Sequence, residues 1–213
     1  MSRFTILLGG DLVRTPLLDA RIAGTRVIAA DSGIRHAATL GLAPELWAGD
    51  FDSVTDDVRA ANAGIPVALY PSDKDVTDGE IAIEAALERG ATGLVLAGAF
   101  GGSRADHAFL HLSAALRLAE RGYGVLLTSG LQEGLPLLPG ETLFDYAPGT
   151  LFSILGFSDL EGLTLEGVKW PLTDRHVPFG SSLTLSNEVR GRLVARLGAG
   201  RAMLIAHPCP ETI

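Results

Sequence analysis

Cysteine is almost missing from this 213-residue chain, which has a single one at Cys209. One cysteine excludes an intrachain disulfide and a cysteine-rich zinc site. Long apolar runs are missing too, since none reaches the roughly 18 to 20 residues that a membrane-spanning helix needs. The first residues, MSRFTILLGG, lack the charged, apolar and small-residue succession of a secretory signal. These absences predict a cytoplasmic protein that does not associate with membranes.

Net positive charge is the next absence. The formal net charge is −8, and lysine occurs only at Lys74 and Lys169. This balance argues against broad contact with a phosphate backbone, so no nucleic-acid partner is predicted. The same charge balance is compatible with a small anion that binds through a metal ion. With 47% hydrophobic residues and a mean hydropathy of +0.29, the composition is that of a well-packed globular chain.

Short apolar runs alternate with helical patterns through the first 130 residues. The predicted strands are RFTILLGG, TRVIAAD, LWAGDFD, PVALY, GLVLAGAF and YGVLLTSG. The predicted helices lie at about 15–23, 33–41, 55–63, 77–89 and 105–121. Continuous apolar runs are typical of strands that are covered on both faces. The alternation therefore predicts an α/β domain over 1–130 with a mostly parallel, doubly wound sheet.

The pattern changes after Gly130. Proline and glycine recur every few residues, which leaves no room for a long helix. Short strands and turns continue to the end, and the segment SSLTLSNEVRGRLVARLGAGRAMLIAHP is predicted to form hairpins. We therefore expect an all-β sandwich or small barrel over 131–213.

Acidic side chains follow several predicted strands at the point where each strand ends. They are Asp31, Asp50, Asp52, Asp73, Asp75 and Asp78. Open α/β sheets bind ligands at the carboxyl ends of their strands, so these groups are expected to crowd one edge. Crowded carboxylates repel one another unless a cation lies among them, and oxygen ligands suit Mg²⁺.

Each acidic motif also has a simpler interpretation. Asp31 before Ser-Gly is compatible with a helix cap or a turn residue. The segment DVTD is compatible with a helix cap made by Thr77 or Asp75, with Asp78 complementing the helix dipole. Acids at successive strand ends favour a metal site over separate caps.

The segment GAFGGSRADH supplies a complementary, anion-binding half. Gly98, Gly101 and Gly102 allow backbone N–H groups to approach an anion at a helix N-terminus. Arg104 is suited to bidentate contact with phosphate oxygens. The segment lacks the Gly-Lys-Ser/Thr ending of a Walker A loop, and LLGGDL lacks the third glycine of a dinucleotide fingerprint. The sequence therefore predicts a metal–polyphosphate binding site of another kind.

The segments GDFDS, KDVTDGE, GGSRADH and SNE, in this order and at about this spacing, resemble the thiamine pyrophosphokinase family over nearly the whole chain. The resemblance implies an ATP- and Mg²⁺-binding catalytic domain at 1–130 and a thiamine-binding domain at 131–213. It implies that the thiamine hydroxyl attacks the β-phosphorus of ATP, giving thiamine diphosphate and AMP. It also implies a homodimer in which thiamine binds between subunits.

The resemblance also implies roles for individual residues. It places Mg²⁺ on Asp50, Asp52, Asp75 and Asp78, with Arg104 stabilising the transferred group. Either Asp75 or Asp78 would orient or deprotonate the attacking hydroxyl. It assigns ATP contacts to Asp31, Lys74, Gly98, Gly101, Gly102, Asp106 and His107. It assigns thiamine contacts to Ser186 and Asn187, while Trp170 either stacks on thiamine or belongs to the core.

Three positions depart from the family pattern. The segment GGSRADH is one residue longer before Arg104, Gly79 stands where leucine is usual, and His111 stands where asparagine is usual. Alternative functions stay open: a pyrophosphokinase for another alcohol, such as a hydroxymethyl pterin, or a non-catalytic thiamine- or nucleotide-binding regulator. A phosphatase with Asp50 as nucleophile is disfavoured, because the other residues that it needs are not in place.

Overall fold

A computed structural model describes residues 2–51, 54–69 and 76–208. The chain divides into two compact units. The first, the α/β unit, comprises Met1–Ala114 and Tyr123–Gly130, and the second, the β unit, comprises Ala115–Gly122 and Leu131–Ile213. Within the described ranges, no helix is both long enough and apolar enough to span a membrane.

A parallel sheet forms the centre of the α/β unit. Its strands are β1 (Ser2–Leu7), β2 (Arg26–Ala30), β3 (Leu46–Gly49), β4 (Val67–Leu69), β5 (Ala91–Ala97) and β6 (Gly124–Thr128). Parallel pairing places them in the order β6-β5-β1-β2-β3-β4. The last four residues of β1, β2, β5 and β6 are buried, which explains why these strands read as apolar runs.

The helices of this part of the chain lie within the predicted ranges. They are α1 (Pro16–Ile22), α2 (Arg35–Leu40), α3 (Asp56–Ala61), α4 (Asp78–Glu88) and α5 (Ala105–Glu120), with a 3₁₀ turn at Asp31–Ile34 before α2. Side-chain caps explain where two of them begin. The hydroxyl of Thr15 accepts from the Leu18 N–H, and Thr77 forms a capping box with Glu80. The structure thus confirms the predicted helices, with ends that differ by at most two residues.

The β unit is antiparallel. Its strands are β7 (Glu133–Leu137), β8 (Gly140–Phe144), β9 (Leu151–Gly156), β10 (Leu160–Val168), β11 (Leu172–Val177), β12 (Asn187–Leu197) and β13 (Ala202–His207). They pair in the order β11-β10-β12-β9-β13-β7, and β8 also pairs with β12. β12 pairs with β8 over residues 193–197 and with β10 between Val189 and Arg196, while its first two residues pair with β9.

One detail of the predicted β unit is wrong. The last segment was expected to form hairpins, but β12 and β13 do not pair with each other, because β9 lies between them. The core that holds these strands together contains Phe152, Ile154, Leu163, Val189 and Leu204, all nearly inaccessible. The predicted fold class itself, an α/β part followed by an antiparallel β part, is confirmed.

Candidate active site

A cleft of about 420 Å³ opens in the α/β unit at the carboxyl ends of its strands. Its walls come from the segments after β1, β2, β3 and β5 and from the first turns of α4 and α5. Short side chains and the main chain of glycine residues form most of the surface of this cleft. This is the edge at which an open parallel sheet brings residues from distant parts of the chain together.

Three carboxylates meet in this cleft. Asp31 follows β2, Asp50 follows β3, and Asp78 begins α4. One oxygen from each lies within 4.8 Å of the other two. All three residues are half-buried, and Oδ1 of Asp31 is shielded from solvent. At such distances the repulsion between two unit charges is on the order of 3 kcal/mol at an effective dielectric constant of about 20.

The donor set therefore fits a hard divalent cation. All three ligand atoms are carboxylate oxygens, and neither sulfur nor imidazole belongs to the group. Mg²⁺ takes oxygen ligands, usually one or two carboxylates together with phosphate oxygens and water. The sequence predicted Asp50 and Asp78 as metal ligands and gave Asp31 an ATP contact, and the structure brings all three together. Some of the predicted residues lie outside the described ranges: the site residues Asp52, Lys74 and Asp75, and Asp73 from the acidic group.

The segment around Asp50 differs from its predicted geometry. The predicted strand LWAGDFD includes Phe51, whose side chain would be buried there by strand alternation. Its side chain is buried, but β3 ends at Gly49 and Phe51 has a left-handed backbone with φ of +63°. Phe51 is therefore buried with a left-handed backbone after the end of β3, and not by the alternation of a strand.

The start of α4 combines a helix cap with a candidate metal ligand. Thr77 accepts from the N–H of Glu80, and the Glu80 carboxylate accepts from the N–H of Thr77. This capping box fixes the first turn and so fixes Asp78, the first helical residue. The capping interpretation and the ligand interpretation of DVTD are therefore compatible, because the cap positions the acid.

The loop after β5 lines the cleft but uses its amides differently from the prediction. Gly98, Gly101 and Gly102 all lie at the cleft, each with positive φ. However, the N–H of Gly98 donates to the carbonyl of Thr128, and the N–H of Gly102 donates to the carboxylate of Asp11. These two amides are thus occupied by the protein. Their glycines serve close packing instead: a Cβ at Gly98 would lie 2.5 Å from the Leu8 carbonyl oxygen.

Arg104 and Asp106 form an ion pair at the beginning of α5. Nε and Nη2 of Arg104 donate to the two Asp106 oxygens over 3.0 and 2.7 Å. The hydrogen bond from Arg104 lowers the pKa of Asp106 to about 2. Arg104 lines the cleft, as does the neighbouring His107. The two carboxylate oxygens of Asp106 therefore hold the guanidinium plane of Arg104 at the cleft wall.

Two cleft residues were missed as functional candidates. Nη2 of Arg35 donates to the carbonyls of Gly9 and Gly10 over 2.5 and 3.0 Å and holds the loop after β1. His111 lines the cleft, and its Nδ1 lies 3.1 Å from the Ala99 carbonyl oxygen. Burial lowers the pKa of the His111 imidazole. Its spacing of four residues from His107 on α5 was the available signal, since such residues share a helix face.

The predicted thiamine contacts lie in the β unit. Asn187 is buried, and its side chain is engaged with Trp170: Oδ1 accepts from the Trp170 N–H over 3.1 Å, and Nδ2 donates to the Trp170 carbonyl over 2.9 Å. Trp170 itself is 53% exposed, so it does not belong to the core. Ser186 precedes Asn187 in a left-handed conformation with φ of +58°. The SNE segment therefore fixes the backbone beneath an exposed indole.

Comparison with known proteins gives matches in both parts of the chain. A family model described as "Thiamin pyrophosphokinase, catalytic domain" matches residues 23–127. A second, described as "Thiamin pyrophosphokinase, vitamin B1 binding domain", matches residues 143–195. A curated thiamine pyrophosphokinase of Bacillus subtilis (strain 168) is 31% identical over 166 residues, which cover 76% of this chain and 77% of that protein.

Solved structures give the same result for the whole chain. A thiamine pyrophosphokinase from Bacillus subtilis has a TM-score of 0.85 at 27% identity, over 98% of this chain and 100% of that one. A thiamin pyrophosphokinase from Geobacillus thermodenitrificans has a TM-score of 0.80 at 28% identity, over 100% of both chains.

Proposed function

This chain belongs to the thiamine pyrophosphokinase family, and from that membership we propose how its residues divide the work of the reaction. It is an enzyme that transfers a diphosphoryl group to thiamine. We propose ATP as the donor: the thiamine hydroxyl oxygen forms a bond to the β-phosphorus, the bond from this phosphorus to the α-phosphate bridging oxygen breaks, and AMP leaves. The hydroxyl proton goes to a carboxylate of the cleft.

The cleft of the α/β unit is proposed to hold the polyphosphate. Asp31, Asp50 and Asp78, together with Asp52 and Asp75, would hold Mg²⁺, which supplies charge neutralisation for the phosphate oxygens when bound. The observation that carries this proposal is the convergence of three carboxylate oxygens within 4.8 Å in a cleft of about 420 Å³. Phosphoryl transfer asks a protein mainly for positioning and for charge stabilisation, and both fit this arrangement.

Cationic and polar groups of the α/β unit are proposed to orient the transferred group. Arg104 contacts phosphate oxygens with its guanidinium plane held by Asp106. His107 and Lys74 contribute further contacts to ATP. The glycines at Gly98, Gly101 and Gly102 admit the polyphosphate by leaving space, since two of their amides are already used inside the protein. Asp78 or Asp75 receives the proton of the attacking hydroxyl.

The β unit is proposed to bind thiamine. Its exposed Trp170 offers a flat apolar surface for a cationic heteroaromatic ring. Asn187 fixes the main chain of Trp170, so we assign it a supporting role as well as the pyrimidine contact that was predicted. Ser186 offers its hydroxyl beside them. The pterin alternative is not favoured, because residues 143–195 match a vitamin B1 binding domain.

We further propose that the enzyme is a cytoplasmic homodimer in which the α/β unit of one subunit and the β unit of the other enclose thiamine. The net charge of −8 supports the expectation that neither nucleic acid nor an anionic membrane surface is a partner. Sedimentation of the active enzyme tests the dimer. A fully active monomer would overturn this part of the proposal.

The function is tested by AMP formation from ATP with thiamine or with 6-hydroxymethylpterin as acceptor. We expect turnover with thiamine and with Mg²⁺, and none with the pterin. Asp50→Asn should abolish turnover while circular dichroism and the melting temperature stay near those of the wild type. Glu84→Gln, an exposed acid of α4, is the matched control and should keep full activity. Near-normal activity of Asp50→Asn would refute the assignment of the metal site.

A further inference from the structure

The two polypeptide turns that carry Asp31 and Asp50 have unusual backbone conformations. Asp31 has φ of +40°, and Phe51, directly after Asp50, has φ of +63°. Residues with a Cβ seldom adopt this left-handed region, and they do so at positions that surrounding contacts enforce. The contacts that enforce these backbone conformations therefore help to orient the two carboxylates.

The same side chain contacts both turns. Trp47, in β3, is 2% exposed, and its Nε1–H donates to the carbonyl oxygen of Asp31 over 2.9 Å. Its ring packs edge to face against Phe51, with centroids 4.7 Å apart and planes at 88°. A hydrogen bond fixes one turn and an aromatic contact fixes the other.

Two further features restrict the same turns. Gly49 allows the end of β3 to approach Asp31 closely, since a Cβ there would lie only 3.2 Å from the Asp31 Cβ. In addition, Nη2 of Arg59 donates to the carbonyl of Phe51 over 2.7 Å. Asp50 lies between Gly49 and Phe51, so both of its neighbours in the chain are held.

We propose that Trp47 is a positioning residue of the metal site: through the Asp31 carbonyl and the Phe51 ring it sets the separation of the Asp31 and Asp50 carboxylates for a divalent cation. This inference rests on the proposed function, because it takes the carboxylate group to be a cation site. It goes beyond that function because Trp47 is not among the residues that line the cleft. Residues that orient metal ligands typically change metal affinity by 10- to 100-fold when they are replaced.

The test replaces the hydrogen bond and keeps most of the packing. Trp47→Phe removes the N–H donor, and Val95→Ala, in the core of β5, is a control that loses packing in a strand that does not adjoin β3. Binding of Mn²⁺ in the presence of α,β-methylene-ATP is followed by electron paramagnetic resonance, next to the Mg²⁺ dependence of turnover and the melting temperature. We expect the dissociation constant of Mn²⁺ to rise roughly 10-fold in Trp47→Phe and to be unchanged in Val95→Ala.

The outcomes separate the inference from the proposed function. If Asp50→Asn abolishes Mn²⁺ binding but Trp47→Phe binds within twofold of the wild type, the role of Trp47 is refuted and the metal site stands. If Val95→Ala weakens binding as much as Trp47→Phe does, the effect is general destabilisation and the inference also fails. If Asp50→Asn keeps wild-type binding, the proposed metal site itself is wrong.

A second measurement covers the case in which Trp47→Phe does not fold. The chain has two tryptophans, so Trp170→Phe leaves Trp47 as the sole indole fluorophore. Mn²⁺ should quench the fluorescence of Trp47. The Mn²⁺ concentration at half-maximal quenching should equal the dissociation constant measured by electron paramagnetic resonance. Emission that does not change at saturating Mn²⁺ would contradict a close link between Trp47 and the cation.

Discussion

The candidate functional residues of the two units are arranged in different ways. In the α/β unit, the candidate ligands Asp31, Asp50 and Asp78 come from separate strand and helix ends and meet in space. In the β unit, the candidate residues Ser186 and Asn187 are adjacent in the chain, and Asn187 turns towards the main chain of Trp170. In the proposed function, the dispersed residues that converge are the direct ligands, whereas the contiguous motif also has a supporting role, because Asn187 holds the main chain of Trp170.

The largest expected effect concerns the convergent group. Asp78→Asn keeps the shape of the side chain but removes a charged ligand, so turnover should fall by about 10³-fold, a loss near 4 kcal/mol of transition-state stabilisation. Steady-state assays over a range of Mg²⁺ concentrations measure it. Glu80→Gln is the control, because glutamine preserves the capping box and should keep most of the activity. A similar loss in both variants would show that helix geometry, and not the carboxylate, matters.

An intermediate effect is expected in the β unit. Asn187→Ala removes the bonds to Trp170 N–H and C=O and leaves these groups to find other partners, which costs about 1–3 kcal/mol of folding stability. If Asn187 acts by holding Trp170, the KM for thiamine should rise while the KM for ATP stays unchanged. Trp170→Ala should also raise the KM for thiamine, and the double variant should raise it further but by less than the two single effects combined, because Asn187 is proposed both to hold Trp170 and to contact thiamine. Fully additive losses would show that Asn187 does not act through Trp170.

The smallest effect concerns the Arg104–Asp106 pair. The pKa of Asp106 is lowered to about 2, below its ordinary value near 4. Its stabilising contribution is therefore present above about pH 4 and is lost as the pH falls towards 2. Because both side chains are well exposed, Asp106→Asn should leave the melting temperature at pH 7 nearly unchanged, and it should remove only a shallow part of the acid dependence. Melting curves between pH 2 and pH 7 test this expectation.

The parallel sheet could be predicted from the sequence because buried parallel strands have a simple signature. β1, β2 and β5 are apolar runs, and the helices between them begin at Thr15 and Thr77, which are ordinary cap residues. The convergence of the acids follows from that topology alone. Local pattern was sufficient here because each element is coded by neighbouring residues.

The features that could not be predicted depend on contacts between distant residues. The glycine-rich segment 198–201 favours a hairpin, yet pairing with β9 decides where β12 and β13 lie. The amide of Gly102 was expected to face a ligand, but the carboxylate of Asp11, 91 positions earlier, takes it. Arg35 is likewise directed by carbonyls of Gly9 and Gly10 that no local pattern identifies. Sequence spacing gives the strand ends but not the loops that cross between them.

The position of β12 has a consequence for how the β unit comes apart. This strand pairs with β8 along its second half, with β10 between Val189 and Arg196 and with β9 at its beginning, so it joins the group β8, β10 and β11 to the group β9, β13 and β7. Detaching β12 would therefore break strand pairing in both groups. Hydrogen exchange should therefore report amides of β9, β10 and β12 opening together, as one cooperative unit.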